Sequence, residues 1–365
     1  MNLFTLMLLI ALNASAEVKP TMQEFFGLTN KLSPYLTDKE QFMSDKNDKE
    51  IGKVLTEFVQ NTKKFKQDKM VQSDDMKFRA RLLGEGLDLA EQSFRGGQKD
   101  YSFWVLRATL NNCFSCHTQK GLGATSYTPD KNTHSDYARA EFLFLVRNYD
   151  EAIPLFVDLL SGYPKNKMSV ENLESSAQKL LFYLMRVSSD DLKSIALFDK
   201  VLKNEQLPQS LQTDILAWRK YLNVKKYRIE PVIKINSSAR LDAFMKSRSR
   251  IADSFRLSNQ RSIADLDTTR FLYRLLEQPS SQSFRPSVLY WLAFVEKDYR
   301  LSMFDMSAEN FLIECIERYP NDPAAKKCFK AYKEMQVASF TGSRGTELPP
   351  DVVKKLNKYE VLVNK

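Results

Sequence analysis

Phe103-Trp104-Val105-Leu106-Arg107-Ala108-Thr109-Leu110-Asn111-Asn112-Cys113-Phe114-Ser115-Cys116-His117 is the stretch whose periodicity sets the fold of the first part of this chain. Phe103, Leu106, Leu110, Cys113 and His117 recur at steps of three and four, the period of one helix face. The stretch reads as a helix that begins near Asp100. Its apolar stripe runs into Cys113, Cys116 and His117, which stand at i, i+3 and i+4 and so face one way.

The same period extends upstream. Ile51, Val54, Leu55, Phe58 and Val59 mark a second helix. Phe78, Leu82, Leu83, Leu87, Ala90 and Phe94 mark a third, ended by Gly96-Gly97. A first helix, Met22 to Leu36 with Met22, Phe25, Phe26 and Leu32 on one stripe, is expected to stop around Pro34. Four helices thus fill residues 17–120. Gly is scarce, at 11 of 365 residues, and β-branched alternation is nearly absent. The fold class is all-α.

Cys113-Phe114-Ser115-Cys116-His117 is a CxxCH run, the spacing of a c-type haem attachment site. Two thiols add to the haem vinyl groups, and the adjacent imidazole ligates the iron. Cys113 and Cys116 are the covalent tethers, His117 is the proximal ligand, and one haem c per chain is implied. The bland readings are weak. No second CxxC exists and His134 is the only other histidine, so a four-ligand zinc shell of the usual kind cannot be assembled. A redox CxxC of thioredoxin type would sit in a βαβ setting, which these helical surroundings lack. His134 lies in a polar loop and reads as a surface histidine.

Residues 1–16 carry no charged side chain, hold an apolar run from Leu3 to Leu12, and end in Ala14-Ser15-Ala16. That run is too short to span a bilayer, and it reads as a cleavable signal peptide with the mature chain starting at Glu17. The expected location is the periplasm, with no transmembrane segment. Lys and Arg total 54 against 45 Asp and Glu, a formal net charge of +9. A basic surface favours acidic partners, and nucleic acid is not expected to be one. The basic runs Lys63-Lys64-Phe65-Lys66 and Lys246-Ser247-Arg248-Ser249-Arg250 read as solvated helix faces.

Four helices with CxxCH near the end of the last resemble the class II cytochromes c, the cytochrome c-prime family. The resemblance covers a little over a quarter of the chain, and outside CxxCH it rests on layout. It implies a four-helix bundle with His117 as proximal ligand and a first-helix residue facing the other side of the iron. Met22 looks like the methionine that fills that place in six-coordinate members. The competing reading of Met22 is core filler, since the chain has 12 Met residues. The family often has a basic residue four places after the His; here that position is Gly121, and Lys120 stands one place earlier. Lys120 and Arg107 are the candidate propionate contacts. The resemblance also leaves a homodimer open.

Gly121 to Ser135 is Gly-, Ser- and Thr-rich and reads as a linker. Beyond it, Tyr149 to Phe156 followed by Leu159-Leu160 and Tyr163-Pro164 resembles helix B of a tetratricopeptide (TPR) repeat. Ala140, Ala152 and Phe156 fall where that repeat wants close contact and an apolar plug. Ala308, Leu312, Cys315 and Tyr319-Pro320 give a second echo. Residues 136–365 are expected to form a TPR-like α-solenoid, with an irregular helical domain as the alternative. Cys315 and Cys328 lie equally far from the turn at Asn321-Asp322, so a helix hairpin would bring them together as a disulfide in an oxidising compartment.

The expected function is periplasmic electron transfer through one covalent haem, with the helical repeats docking a redox partner protein. The alternative is a five-coordinate haem protein that binds or senses nitric oxide or carbon monoxide. Enzyme activity is not expected: a peroxidase wants distal acid/base groups beside the iron, and the sequence offers one spare histidine and no second haem motif.

Overall fold

The computed structural model describes residues 22–67, 71, 74–119, 135–188, 190–229, 234–255, 258–297, 307–343 and 345–365, with only the backbone course of 111–119. The expected signal peptide, Lys120, His134 and almost all of the expected 121–135 linker lie outside the described residues. The described chain is all-α, with one two-residue strand pair. None of its helices is long and apolar enough to cross a membrane. The chain divides into two compact units, Met1–Ala152 and Ile153–Lys365.

In the first unit, α1 spans 22–37, α2 Lys39–Met43, α3 Asp48–Gln67, α4 Asp74–Arg95, α5 Lys99–Gln119 and α6 Asp136–Leu145. Phe25, Leu28 and Leu32 of α1, Phe42 of α2, Ile51, Val54 and Phe58 of α3, Leu87, Ala90 and Phe94 of α4, and Phe103, Leu106 and Leu110 of α5 bury into one apolar core. Aromatic rings tie its ends: Phe25 lies 6.0 Å from Phe58, and Phe42 lies 5.1 Å from Phe103.

Three details differ from the expected layout. Helix α1 continues past Pro34 to residue 37, because Tyr35 and Leu36 are buried and the Tyr35 hydroxyl donates to Glu50 at 2.8 Å. The extra helix α2 is capped by Asp38 and pinned by Phe42, which is fully buried. Helix α4 ends at the glycine pair as expected. Gly97 takes a φ of 78°, and the Gln98 amide reaches back to the Ser93 carbonyl at 2.9 Å. Helix α6, which the sequence assigns to the second domain, lies in the first unit. Its Leu145 packs against that core and its Glu141 pairs with Arg107 of α5.

Helix α7, Tyr149–Ser161, contains the division between the units. The second unit continues with α8 Val170–Phe182, prolonged by a π-turn Tyr183–Ser188, α9 Asp191–Leu202, α10 Gln209–Asn223, α11 Ser238–Asp253, α12 Ser258–Glu277, α13 Arg285–Glu296, α14 Ser307–Arg318, α15 Pro323–Ser339 and α16 Pro350–Val363. The loop before α16 carries an antiparallel strand pair, β1 Thr341–Gly342 and β2 Gly345–Thr346, with Thr341 opposite Thr346.

Helices here pack on their next-but-one neighbours: α10 on α12, α11 on α13, α13 on α15, and α14 on α16. Helices α11 and α13 run parallel and in step. The Ser287 hydroxyl meets that of Ser238 at 3.0 Å, and one turn on Trp291 Nε1 donates to Asp242 at 2.7 Å. Helices α14 and α15 form a hairpin in which Cys315 Sγ and Cys328 Sγ stand 2.16 Å apart, at bonding distance.

One reading of the basic runs needs correction. In Lys246–Arg250 the middle cation is not solvated: Arg248 is 4 % exposed. It continues the inward stripe of Leu241 and Met245, and donates to Tyr221, Thr268 and the Tyr227 carbonyl. Beside it lies Asp267, fully buried, which accepts from Tyr221 at 2.7 Å and from Arg270 at 2.6 Å. Buried charge of this kind is held only where it is paired and hydrogen-bonded.

Candidate haem site

Helix α5 runs unbroken from Lys99 through Gln119 and so includes the whole CxxCH turn. At its start, the Lys99 ammonium lies 2.5 Å from Asp45 and 2.7 Å from Asp48. Hydrogen bonds that the Lys99 ammonium donates to these two carboxylates push its pKa up, and the same contact holds Asp45 below its ordinary value. The N-terminal end of α5 is thereby fixed to the turn that opens α3.

Three further contacts fix the middle of α5. The Ser102 hydroxyl, fully buried, donates to the Ala90 carbonyl of α4 at 2.7 Å. Gly86 of α4 faces Thr109 so closely that a Cβ there would lie 2.3 Å from Thr109 Oγ1. Phe103, Leu106 and Leu110 are 8 %, 0 % and 1 % exposed. Helical register carries this buried stripe on to positions 113 and 117, with 116 beside them.

The donor set fits a covalent haem: two thiols and one imidazole within a single turn, at the end of a stripe that is already apolar. Their side chains lie outside the described residues. Met22 is half-buried and packs against the core that α1 shares with α5. Met76 of α4 packs on that core in the same way, a second thioether that the sequence analysis did not single out.

Arg107, one of the two propionate candidates, already has a carboxylate. Its guanidinium lies 3.7 Å from Glu141 of α6 and 5.4 Å from the centroid of the Phe103 ring. Glu141 carried no signal in the sequence, because 33 residues and a polar loop separate it from Arg107. Lys120, the other candidate, lies outside the described residues.

Cys315 and Cys328 belong to the second unit and are both fully buried. Ala140, Ala152 and Phe156, the residues of the TPR echo, are each fully buried, as are Ala308 and Leu312 to within 3 %. No family model matches the chain, and neither the curated proteins nor the solved structures gave a match.

Proposed function

We propose that this chain is an exported periplasmic cytochrome that carries one covalent haem c and transfers electrons, with its helical-repeat region docking a redox partner protein. The observation that carries the reading is CxxCH on an unbroken helix whose buried stripe leads into it. Cys113 and Cys116 would hold the group and His117 would be its proximal ligand. When bound, the haem supplies a one-electron couple whose potential follows axial ligation and burial.

The chain's own residues do the rest. Phe25, Phe58, Leu106 and Leu110 provide a dry, low-polarity surround. Met22, on the helix that shares this core, is the distal candidate; a Met/His pair raises the reduction potential relative to other axial sets. Arg107 is oriented by Glu141 and Phe103, so a propionate at this edge would share a guanidinium already half-neutralised. A class II bundle is supported by the single core of α1, α3, α4 and α5. A solenoid in the second half is supported by the next-but-one packing and by the parallel step of α11 and α13.

The test is the optical spectrum of the matured full chain, oxidised, reduced, and reduced under carbon monoxide. A low-spin spectrum indifferent to carbon monoxide is expected, turning responsive in Met22→Ala. A wild-type spectrum that shifts with carbon monoxide would remove Met22 as ligand and move gas binding to first place.

A further inference from the structure

Helix α13 uses most of its surface on its neighbours and leaves one lane outward. Helices α12 and α14 pack against its inner side, and α11 and α15 flank it. Helix α14 reverses direction on both: Arg285 of α13 reaches Glu314, and Cys315 meets Cys328 of α15. Helices α11, α13 and α15 therefore run parallel, as one layer.

The outward lane of α13 is aromatic. Tyr290, Trp291 and Phe294 are half-buried, with ring centroids 5.3 Å apart for Tyr290–Trp291 and 5.4 Å for Trp291–Phe294. Trp291 cannot turn freely, because Asp242 holds its Nε1. Side chains locked this way present rigid apolar area at little entropic cost to a ligand.

The rim is cationic. Lys297 lies 4.7 Å over Phe294, and Lys327 of α15 lies 5.9 Å over Tyr290. Lys246 stands one turn beyond Asp242 on the same side of α11 and is exposed. The Asp242 carboxylate lies 3.5 Å from Lys327 and offsets it. Neither Lys246 nor Lys297 has a carboxylate at salt-bridge distance among the described residues. An occupant must bring apolar side chains for the floor and negative charge for the rim.

We propose that the outward face of α13, between α11 and α15, docks an acidic segment of a partner protein bearing an aromatic or leucine side chain. This deepens the partner-docking part of the reading above and does not depend on the haem. A ring held by a hydrogen bond, as Trp291 is by Asp242, favours a protein segment over a lipid surface, which needs charge and depth of insertion rather than fixed geometry.

The test uses the full chain, with haem content read optically on the same sample. A displayed random-peptide library is selected on the wild type and on Lys246→Glu/Lys297→Glu, two exposed substitutions whose fold is checked by circular dichroism. The expected result is a consensus pairing Asp or Glu with Phe, Trp, Tyr or Leu. Individual peptides should bind the variant about tenfold more weakly, and Phe294→Ser should weaken them similarly. No consensus, a consensus without acidic residues, or unchanged binding by the variants would overturn the proposal. So would sedimentation with anionic phospholipid vesicles that the same substitutions abolish while peptide binding persists. A haem-free chain that still selects the acidic consensus would sink the cytochrome and leave this face standing.

Discussion

Asp214 sits on α10 with 5 % of its surface exposed, facing Asn259 and Gln260 at the start of α12. Burial raises its pKa above the ordinary value of 3.8, and hydrogen bonds from Asn259 and Gln260 work against that rise. Between the ordinary and the raised value the folded state holds more protons than the unfolded. Its contribution to stability is therefore full below the ordinary value and is lost as pH rises through the raised one. Asp214→Asn should lack this fall, so the stability of the wild type relative to the variant should decline across about pH 4 to 7 in denaturant titration. A difference that does not change with pH would contradict it. Single residues were unevenly legible. CxxCH is a local pattern and could be read without a structure, whereas the partner of Arg107 could not, since Glu141 reaches it only through folding. Arg248 was legible in hindsight: three places after Met245 and four before Ala252, it sits on the inward stripe.

At the scale of elements, the same close approach that fixes α5 against α4 makes a prediction about glycine. A Cβ at Gly86 would meet Thr109 Oγ1 at 2.3 Å and Thr109 Cβ at 3.1 Å, and Thr109 is buried and too short to move aside. A Cβ at Gly27 of α1 would meet nothing within 4 Å. Alanine gains about 1 kcal/mol over glycine inside a helix, while overpacking costs about 1–3 kcal/mol. Gly27→Ala should therefore raise the thermal midpoint and Gly86→Ala lower it. Equal midpoints in the two variants would show that α4 and α5 are not held this tightly. The long helices of the first unit were legible because each buries one stripe and wets the other. Helix α2 was not, being five residues long, nor was the turn beyond Pro34, which tertiary burial of Tyr35 and Leu36 retains against proline's local preference.

Across the whole molecule, what sequence pattern could not supply is the set of contacts made between distant segments. Arg186 donates to Glu296 at 2.8 Å across 110 residues, with the Tyr273 hydroxyl on the same carboxylate oxygen at 2.9 Å. Asp267 of α12 gathers Tyr221 of α10 and Arg248 of α11. These polar contacts join helices far apart in sequence, and none has a local signature. The next-but-one packing of α11, α13 and α15 is equally non-local; the weak repeat echoes hint at it without fixing the order. The CxxCH turn is the opposite case, since the pattern lies within five consecutive residues and the fold adds the helix and the buried stripe that lead to it. Covalent attachment at that turn is directly measurable. The intact mass of the full chain, matured by a c-type haem attachment system, should exceed that of the processed polypeptide by one haem. The addition should survive acid extraction and be lost in Cys113→Ser/Cys116→Ser. A wild-type chain of unmodified mass with no haem absorbance would contradict the account.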